Sequence, residues 1–297
     1  MWLMKALRKI LFPVDFSEAS TAMVPFVTEI AQRFDAAVTV LNAFNLVREY
    51  SLAPNIEDTG DSEPAAIQYS PALQELRDQR ERSLDEFART QFSSVIHSVK
   101  IEDGDPAMVI QWVVQRENSD LIMMPTKGLG KFRRLLLGSV TAKVLHDVSC
   151  PVLTSAHETE TTIIPPSGFR SILCAVSLSA QSDAVFRAAG FFAHAYGARI
   201  CLLHIEPLSR ENGSQPTTQE IRHAFEQALG SGGPGIGANL SVRIMEAAIP
   251  EGIRQAANEE AADLVVVGRG HSMETFSQAW SHLYAIIRES PCSVLSV

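Results

Sequence analysis

The stretch Asp120–Leu121–Ile122–Met123–Met124–Pro125–Thr126–Lys127–Gly128, followed after nine residues by Gly138–Ser139, decides the fold. Leu121 to Met124 is a short, unbroken apolar run, the pattern of a strand buried on both faces. Val140 to Asp147 reads as a helix. A strand, a glycine-bearing loop and a hydroxyl at the next helix start are the parts of a phosphate cradle. Glycine lets backbone approach an anion closely, and a helix N-terminus offers unpaired N–H groups at the positive end of its dipole. Ser139 stands where it would either cap that helix or bond a phosphate oxygen. The loop also carries Lys127, Lys131, Arg133 and Arg134 with no acid among them. The stretch therefore points to a nucleotide-phosphate site.

Outward from it, strand and helix patterns alternate. Ile10 to Asp15 reads as a buried strand that ends in an acid, with Ser17 as the N-cap of a helix over Glu18–Phe34. Strands are expected at Ala37–Phe44 and Val95–Ile101, and helices from Pro71 to Phe92 and from Gly104–Asp105–Pro106 to Asn118. Pro151–Val152–Leu153 closes the unit. After a linker from His157 to Gly168 the pattern restarts. Ser171–Ile172–Leu173–Cys174–Ala175–Val176–Ser177 parallels Lys9–Ile10–Leu11–Phe12–Pro13–Val14–Asp15, and Asp263–Leu264–Val265–Val266–Val267 parallels Asp120 to Met124. Cys292–Ser293–Val294–Leu295 parallels Cys150–Pro151–Val152–Leu153. One domain is written twice, over 1–156 and 169–297, with 157–168 as the linker.

Apolar strands alternating with helices imply a parallel sheet covered on both faces, and right-handed crossovers make it doubly wound. The expected class is α/β, with two tandem five-stranded domains. In the strand order 3-2-1-4-5, Asp15 and Pro125–Gly128 fall together at the switch point, where such sheets bind ligands. The last strand of each half leaves an apolar edge, and unprotected edges pair. The two halves are therefore expected to join across those edges as an internal pseudo-dimer, and a homodimer of chains is a further expectation.

The 297 residues carry a net charge of −9, which argues against a general nucleic-acid binder. A basic loop on an acidic chain suits a small anionic ligand. No run approaches the roughly 18 apolar residues of a membrane span, and the N-terminus lacks the pattern of a secretory signal. A cytoplasmic location is expected. Cys150, Cys174, Cys201 and Cys292 form no C-x-x-C pair and sit in or beside apolar runs, as buried reduced thiols do. The histidines show no metal-ligand spacing, so no metal residue is assigned.

These residues resemble the universal stress proteins, whose ATP-binding members carry G-x-x-G, nine residues and G-[S/T]. Here Gly128, residues 129–137, Gly138 and Ser139 match, with Pro125 in place of the first glycine. Pro13–Val14–Asp15–Phe16–Ser17 and Cys150–Pro151–Val152–Leu153 look like the family's first and last strands. With the repeat, the resemblance covers nearly the whole chain. It implies a Rossmann-like domain binding ATP, with or without magnesium. Pro13, Val14, Asp15 and Ala43 would then lie around the adenine, and Pro125, Lys127, Gly128, Gly138, Ser139 and Val140 around ribose and phosphates. Pro125 departs from the pattern, since proline has no N–H and a fixed φ.

The second half departs further. Ser177 stands opposite Asp15, Gly268–Arg269–Gly270–His271 opposite Pro125 to Gly128, and Trp280 opposite Gly138. This site reads as degenerate. No general base stands in the motif, so no catalytic residue is assigned. The leading reading is a stress-response sensor or regulator that binds an adenine nucleotide in its first half and acts on a protein partner. The alternatives are an interaction module of the same fold without nucleotide, and a slow nucleotide hydrolase. On the plainer reading, Gly128 and Gly138 serve a turn and a helix entry, and Asp15 is an acid at a helix start.

Overall fold

The computed structural model describes residues 6–45, 71–126, 137–156, 168–177, 182–206, 216–230, 239–269 and 276–297. Lys127, Gly128, Lys131, Arg133, Arg134 and His271 lie outside them, as do residues 46–70 and nearly all of the linker; of Trp280 only the backbone is described.

The first half runs β1 (Lys9–Pro13), α1 (Glu18–Phe34), β2 (Ala37–Phe44), α2 (Pro71–Gln91), β3 (His97–Asp103), α3 (Pro106–Glu117), β4 (Leu121–Met124), α4 (Ser139–Asp147) and β5 (Val152–Thr154). The second runs β6 (Ser171–Val176), α5 (Ser182–Tyr196), β7 (Arg199–Glu206), α6 (Thr218–Leu229), β8 (Leu240–Glu246), α7 (Ile249–Glu259), β9 (Leu264–Val267), α8 (Phe276–Glu289) and β10 (Ser293–Ser296). The alternation follows the sequence pattern. Strand ends shift by one or two residues, most at β3, which starts at His97 rather than Val95.

Each half has the order 3-2-1-4-5, and together they form one ten-stranded sheet, β3-β2-β1-β4-β5-β10-β9-β6-β7-β8. Every neighbouring pair is parallel except β5 and β10, which run antiparallel with Val294 opposite Thr154, Leu295 opposite Leu153 and Ser296 opposite Val152. The two halves therefore meet edge to edge.

Strand alternation then sorts the core by face. Ile10, Phe12, Met123, Leu153, Leu295, Val266 and Cys174 point to the side covered by α1, α2, α5 and α6. Leu11, Ile122, Met124, Val152, Val294, Val265 and Leu173 point to the side covered by α3, α4, α7 and α8. Each core runs across the junction on its own face.

The repeat is visible in detail at the start of the strands. Asp120 Oδ2 accepts from Arg8 N and Lys9 N at 2.8 and 2.9 Å. Asp263 Oδ2 does the same for Arg170 N and Ser171 N at 2.8 and 3.0 Å. Each carboxylate ties the strand it precedes to that half's first strand.

On the α1 face the halves join through aromatic rings. Phe34 of α1 stacks on Phe191 at 4.9 Å and meets Phe192 edge-on at 5.5 Å. Tyr196 Oη donates to Glu29 Oε2 at 2.6 Å, with the Arg33 guanidinium 4.9 Å from its ring. Burial, reinforced by Glu29, pushes the Tyr196 phenol well above its ordinary range. The cysteines are unpaired, and burial raises the thiols of Cys150, to about 12, and Cys174. No described helix is long and apolar enough to cross a membrane.

Gly168 enters the second half at φ +71°, and a Cβ there would lie 2.5 Å from the Tyr196 ring. Gly168→Ala combines a left-handed backbone with overpacking at this junction. It should cost about 2–4 kcal/mol, seen as a lower urea midpoint. An unchanged midpoint would show that both the backbone at Gly168 and the Tyr196 ring relax at no cost.

Candidate functional site

The switch point lies between β1 and β4, whose pairing sets Ile10 beside Leu121 and Leu11 beside Ile122. From β1 the chain passes to α1 on one face; from β4 it passes to α4 on the other. The two helices lie on opposite faces, and in doubly wound sheets such a switch point is where ligands bind, beyond the carboxyl ends of the strands.

On the β1 side, Val14 N extends the ladder to Leu41 O at 2.8 Å. Asp15 and Phe16 then turn the chain, with Phe16 at φ +59°, a conformation few non-glycine residues adopt. Asp15 Oδ1 accepts from Ser17 N at 3.1 Å, Ser17 Oγ at 2.6 Å and Ser20 Oγ at 3.1 Å. Ser17 caps α1 through Ser20 N, as its sequence position indicated. Among the described residues these three bonds all go to Oδ1, which orients the half-buried carboxylate.

Asn42 supports this turn from β2. Its Nδ2 donates to Val14 O at 2.7 Å, and its Oδ1 is buried without a hydrogen-bond partner among the described residues. Ala43, the next residue, is partly buried against the α3 and α4 core. Asn42 is a functional candidate that the sequence reading passed over. A lone amide in the apolar run Ala37–Phe44 was the signal.

On the β4 side, Gly138 N donates to Thr126 O at 2.9 Å, closing the base of the loop that carries the motif. Thr141 Oγ1 donates to Pro125 O at 3.0 Å. Pro125 is buried at the strand end. Gly138, not Ser139, is the cap of α4: it has φ −57° and ψ 140° and makes no side-chain cap bond. Ser139 is the first helical residue and is exposed, and Val140 is half-buried. The first bond of this helix runs from Ala142 N to Gly138 O, so the N–H groups of residues 139–141 precede the ladder. At this φ and ψ any residue is tolerated.

Helix α4 is held from several sides. Val144 and Leu145 are buried in the core, and Gln111 Nε2 donates to Asp147 O at 3.0 Å. Lys143 Nζ lies 3.1 Å from Asp105 Oδ2, while Asp105 Oδ1 caps α3 through Ala107 N and Met108 N. The hydrogen bond from Lys143, with the α3 amides, holds the Asp105 carboxyl below its ordinary range.

The corresponding place in the second half is built differently. His204 occupies the Asn42 position. Its Nδ1 lies 2.9 Å from Val176 O and its Nε2 lies 2.9 Å from Glu206 Oε1, with both side chains buried. The carbonyl only accepts, so Nδ1 carries a hydrogen. Helix α8 begins at Phe276, four positions before Trp280, so the point matching Gly138 lies inside a helix rather than at its start. Arg269, opposite Thr126, is 6% exposed. Its guanidinium donates to Val148 O and Cys150 O of the first half and to Ser296 O. Burial lowers its pKa to about 10.

The sequence pattern of the universal stress protein family matches residues 6–155 and 168–297. The chain belongs to the universal stress protein family. It is 28% identical over 148 residues to a universal stress protein of Methanocaldococcus jannaschii, which covers 49% of this chain and 80% of that protein. A shorter match, 46% identical over 50 residues, joins it to a universal stress protein of Thermus aquaticus, covering 17% of this chain and 36% of that one. Among solved structures, a universal stress protein from Archaeoglobus fulgidus superposes with a TM-score of 0.69 at 24% identity, covering 97% of this chain and 95% of its own. A functionally unknown protein from Pseudomonas aeruginosa gives 0.60 at 16% identity, covering 98% and 92%. Both likenesses extend over the whole tandem, so the two-domain arrangement of this universal stress protein has parallels of the same length.

The Asp105–Lys143 tie makes a measurable claim about α4. A carboxyl that titrates lower in the folded chain contributes stability above its ordinary range and loses it as pH falls through the lowered value. Lys143→Met should move the Asp105 midpoint upward, read by carbon-detected NMR titration. An unmoved midpoint would place the cause in the α3 amides alone.

Proposed function

We propose that the first half binds ATP or a similar adenine nucleotide at the β1–β4 switch point, and that the protein acts as a sensor or regulator. The observation that carries this reading is the start of α4. A half-exposed glycine caps it without a side chain, its leading amides precede the ladder, and its cap is bonded to Thr126 just beyond β4, the strand paired with the β1 that leads into Asp15. A helix start built this way favours an anion through its N–H groups and its dipole.

The donor set fits the group. Gly138, Ser139 and Val140 would meet phosphate oxygens with backbone N–H groups and, from Ser139, a hydroxyl. Asp15, through Oδ2, and Ala43 would border the base, with Pro13 and Val14 forming the floor. The family motif adds Lys127 and Gly128 to the phosphate side. Magnesium, if it accompanies the nucleotide, neutralises phosphate charge on a chain of net charge −9. Nucleotide that prefers one arrangement of the motif loop shifts the population toward it, which is how a binding event would reach a protein partner. We place the activity in the cytoplasm and keep homodimerisation as part of the proposal.

The rival reading is an interaction module of the same fold without nucleotide. Pro125 favours it, because the first motif position has no N–H to offer.

Calorimetric titration of nucleotide-stripped protein with Mg-ATP separates the two. One site per chain is expected, lost in Gly138→Trp, which copies the residue opposite it in the second half. Since the Gly138 backbone suits any residue, that variant should retain its circular dichroism. Two sites would show that the second half also binds, and no binding at millimolar ATP would favour the interaction module.

A further inference from the structure

Helix α4 belongs to the first half, yet its two ends are bonded by the second. At its start, Leu137 N, one residue before the Gly138 cap, donates to Tyr284 Oη of α8 at 3.0 Å. At its end, Val148 is the C-cap, and its carbonyl accepts from the Arg269 guanidinium, which also reaches Cys150 O. Arg269 is anchored in its own half by Ser296, whose Oγ lies 3.3 Å and carbonyl 3.1 Å from the guanidinium. Its backbone N donates to Val297 O at 3.0 Å. The cation is 6% exposed, and among the described residues its guanidinium's hydrogen-bond partners are three carbonyls and a hydroxyl. A guanidinium desolvated in this way is tied to its acceptors, because moving away would strand both it and them.

Both clamps come from the region where the second half departs from a nucleotide motif. Arg269 follows β9 in the loop opposite Pro125–Gly128. Tyr284 lies on the helix opposite α4, one turn past Trp280. From this geometry we infer that the second half positions the phosphate-binding helix of the first: Tyr284 fixes the start of α4, Arg269 fixes its end, and the pair sets the affinity of the first half for the phosphates of its nucleotide. The inference rests on the nucleotide reading above. It gives the altered loop of the second half a role that does not require a ligand of its own. By linkage, nucleotide bound at the start of α4 must tighten the contacts to Tyr284 and Arg269 by the same factor by which those contacts tighten nucleotide. The occupied state of the first half would thus be felt in the second.

The test uses the full chain and three variants: Tyr284→Phe, which removes one oxygen, Arg269→Met, and Gln74→Ala on α2 as a distant control. Two readouts are taken, hydrogen exchange of the unliganded protein and calorimetric affinity for Mg-ATP and for adenosine. In Tyr284→Phe, exchange should quicken at Leu137 and the first turn of α4 while β2 stays protected. Affinity for Mg-ATP should fall about fivefold, the worth of one net hydrogen bond, while adenosine, which has no phosphate, binds as before. Arg269→Met should quicken exchange at the last turn of α4 and weaken Mg-ATP by a larger factor; should it fail to fold, Tyr284→Phe carries the test. Equal weakening of ATP and adenosine would reduce both residues to general stabilisers and overturn the inference. So would unchanged exchange in α4. If the unaltered chain binds no Mg-ATP, the nucleotide reading falls and the affinity claim with it, and exchange alone then decides whether the second half holds α4.

Discussion

The antiparallel pairing of β5 with β10 is the constraint on which the rest depends. Two short strands, each the outer edge of its own five-stranded sheet, satisfy one another's backbone groups. Thr154 Oγ1 adds a bond to Val294 O at 3.3 Å, and Ser296 Oγ adds one to Val152 O at 3.3 Å. With the sheet continuous, apolar side chains on either face no longer divide at the domain boundary. Two cores result, one per face, and each includes residues of both halves. The aromatic cluster of Phe34, Phe191 and Tyr196 on one face, and the contacts of Tyr284 and Arg269 on the other, all presuppose that alignment.

Within this frame the repeat is kept where the fold needs it and altered where a ligand would sit. Asp120 and Asp263 make the same pair of backbone bonds. Val14 and Val176 both receive a side-chain bond from the next strand, from Asn42 in one half and from His204 in the other. At the switch point the halves diverge. One ends its loop at a bare glycine cap; the other carries its helix through the same place and sends an arginine into its neighbour. Asp15 orders the turn after β1, and Ser177 stands at its position after β6. The second half has kept the architecture of its counterpart and uses Arg269, just after β9, for contact with the first half.

The fold was legible because it rests on periodicity. Apolar runs such as Leu121–Met124 and Leu264–Val267, spaced by amphipathic stretches, fix the alternation of strand and helix. The internal repeat fixes how many times it occurs. The candidate site was legible in outline, since Asp15 and Gly138 lie at strand and helix ends that the topology brings together. Its supports were not. Thr141, Asn42, Tyr284 and Arg269 act through partners 16, 28, 147 and 121 residues away, and no local pattern reports such a partner. Ser139 shows the limit at short range. A hydroxyl beside a glycine suits a cap by residue type, but the backbone turned one position earlier, and the glycine took that place. Glu206, at the end of β7, pairs with His204 two residues before it, and both are buried.

The junction also bears on how the chain comes to be folded. Thr154 and Val294 are neighbours in the sheet and lie 140 residues apart in sequence. While a ribosome is still making the second half, the first has completed its strands but exposes an unprotected edge, with the carbonyls of Val148 and Cys150 awaiting a cation that does not yet exist. Contacts so distant form late, and open strand edges invite pairing with other chains. The first half alone would leave the β5 edge open, and β10 and Arg269 of the second half close it.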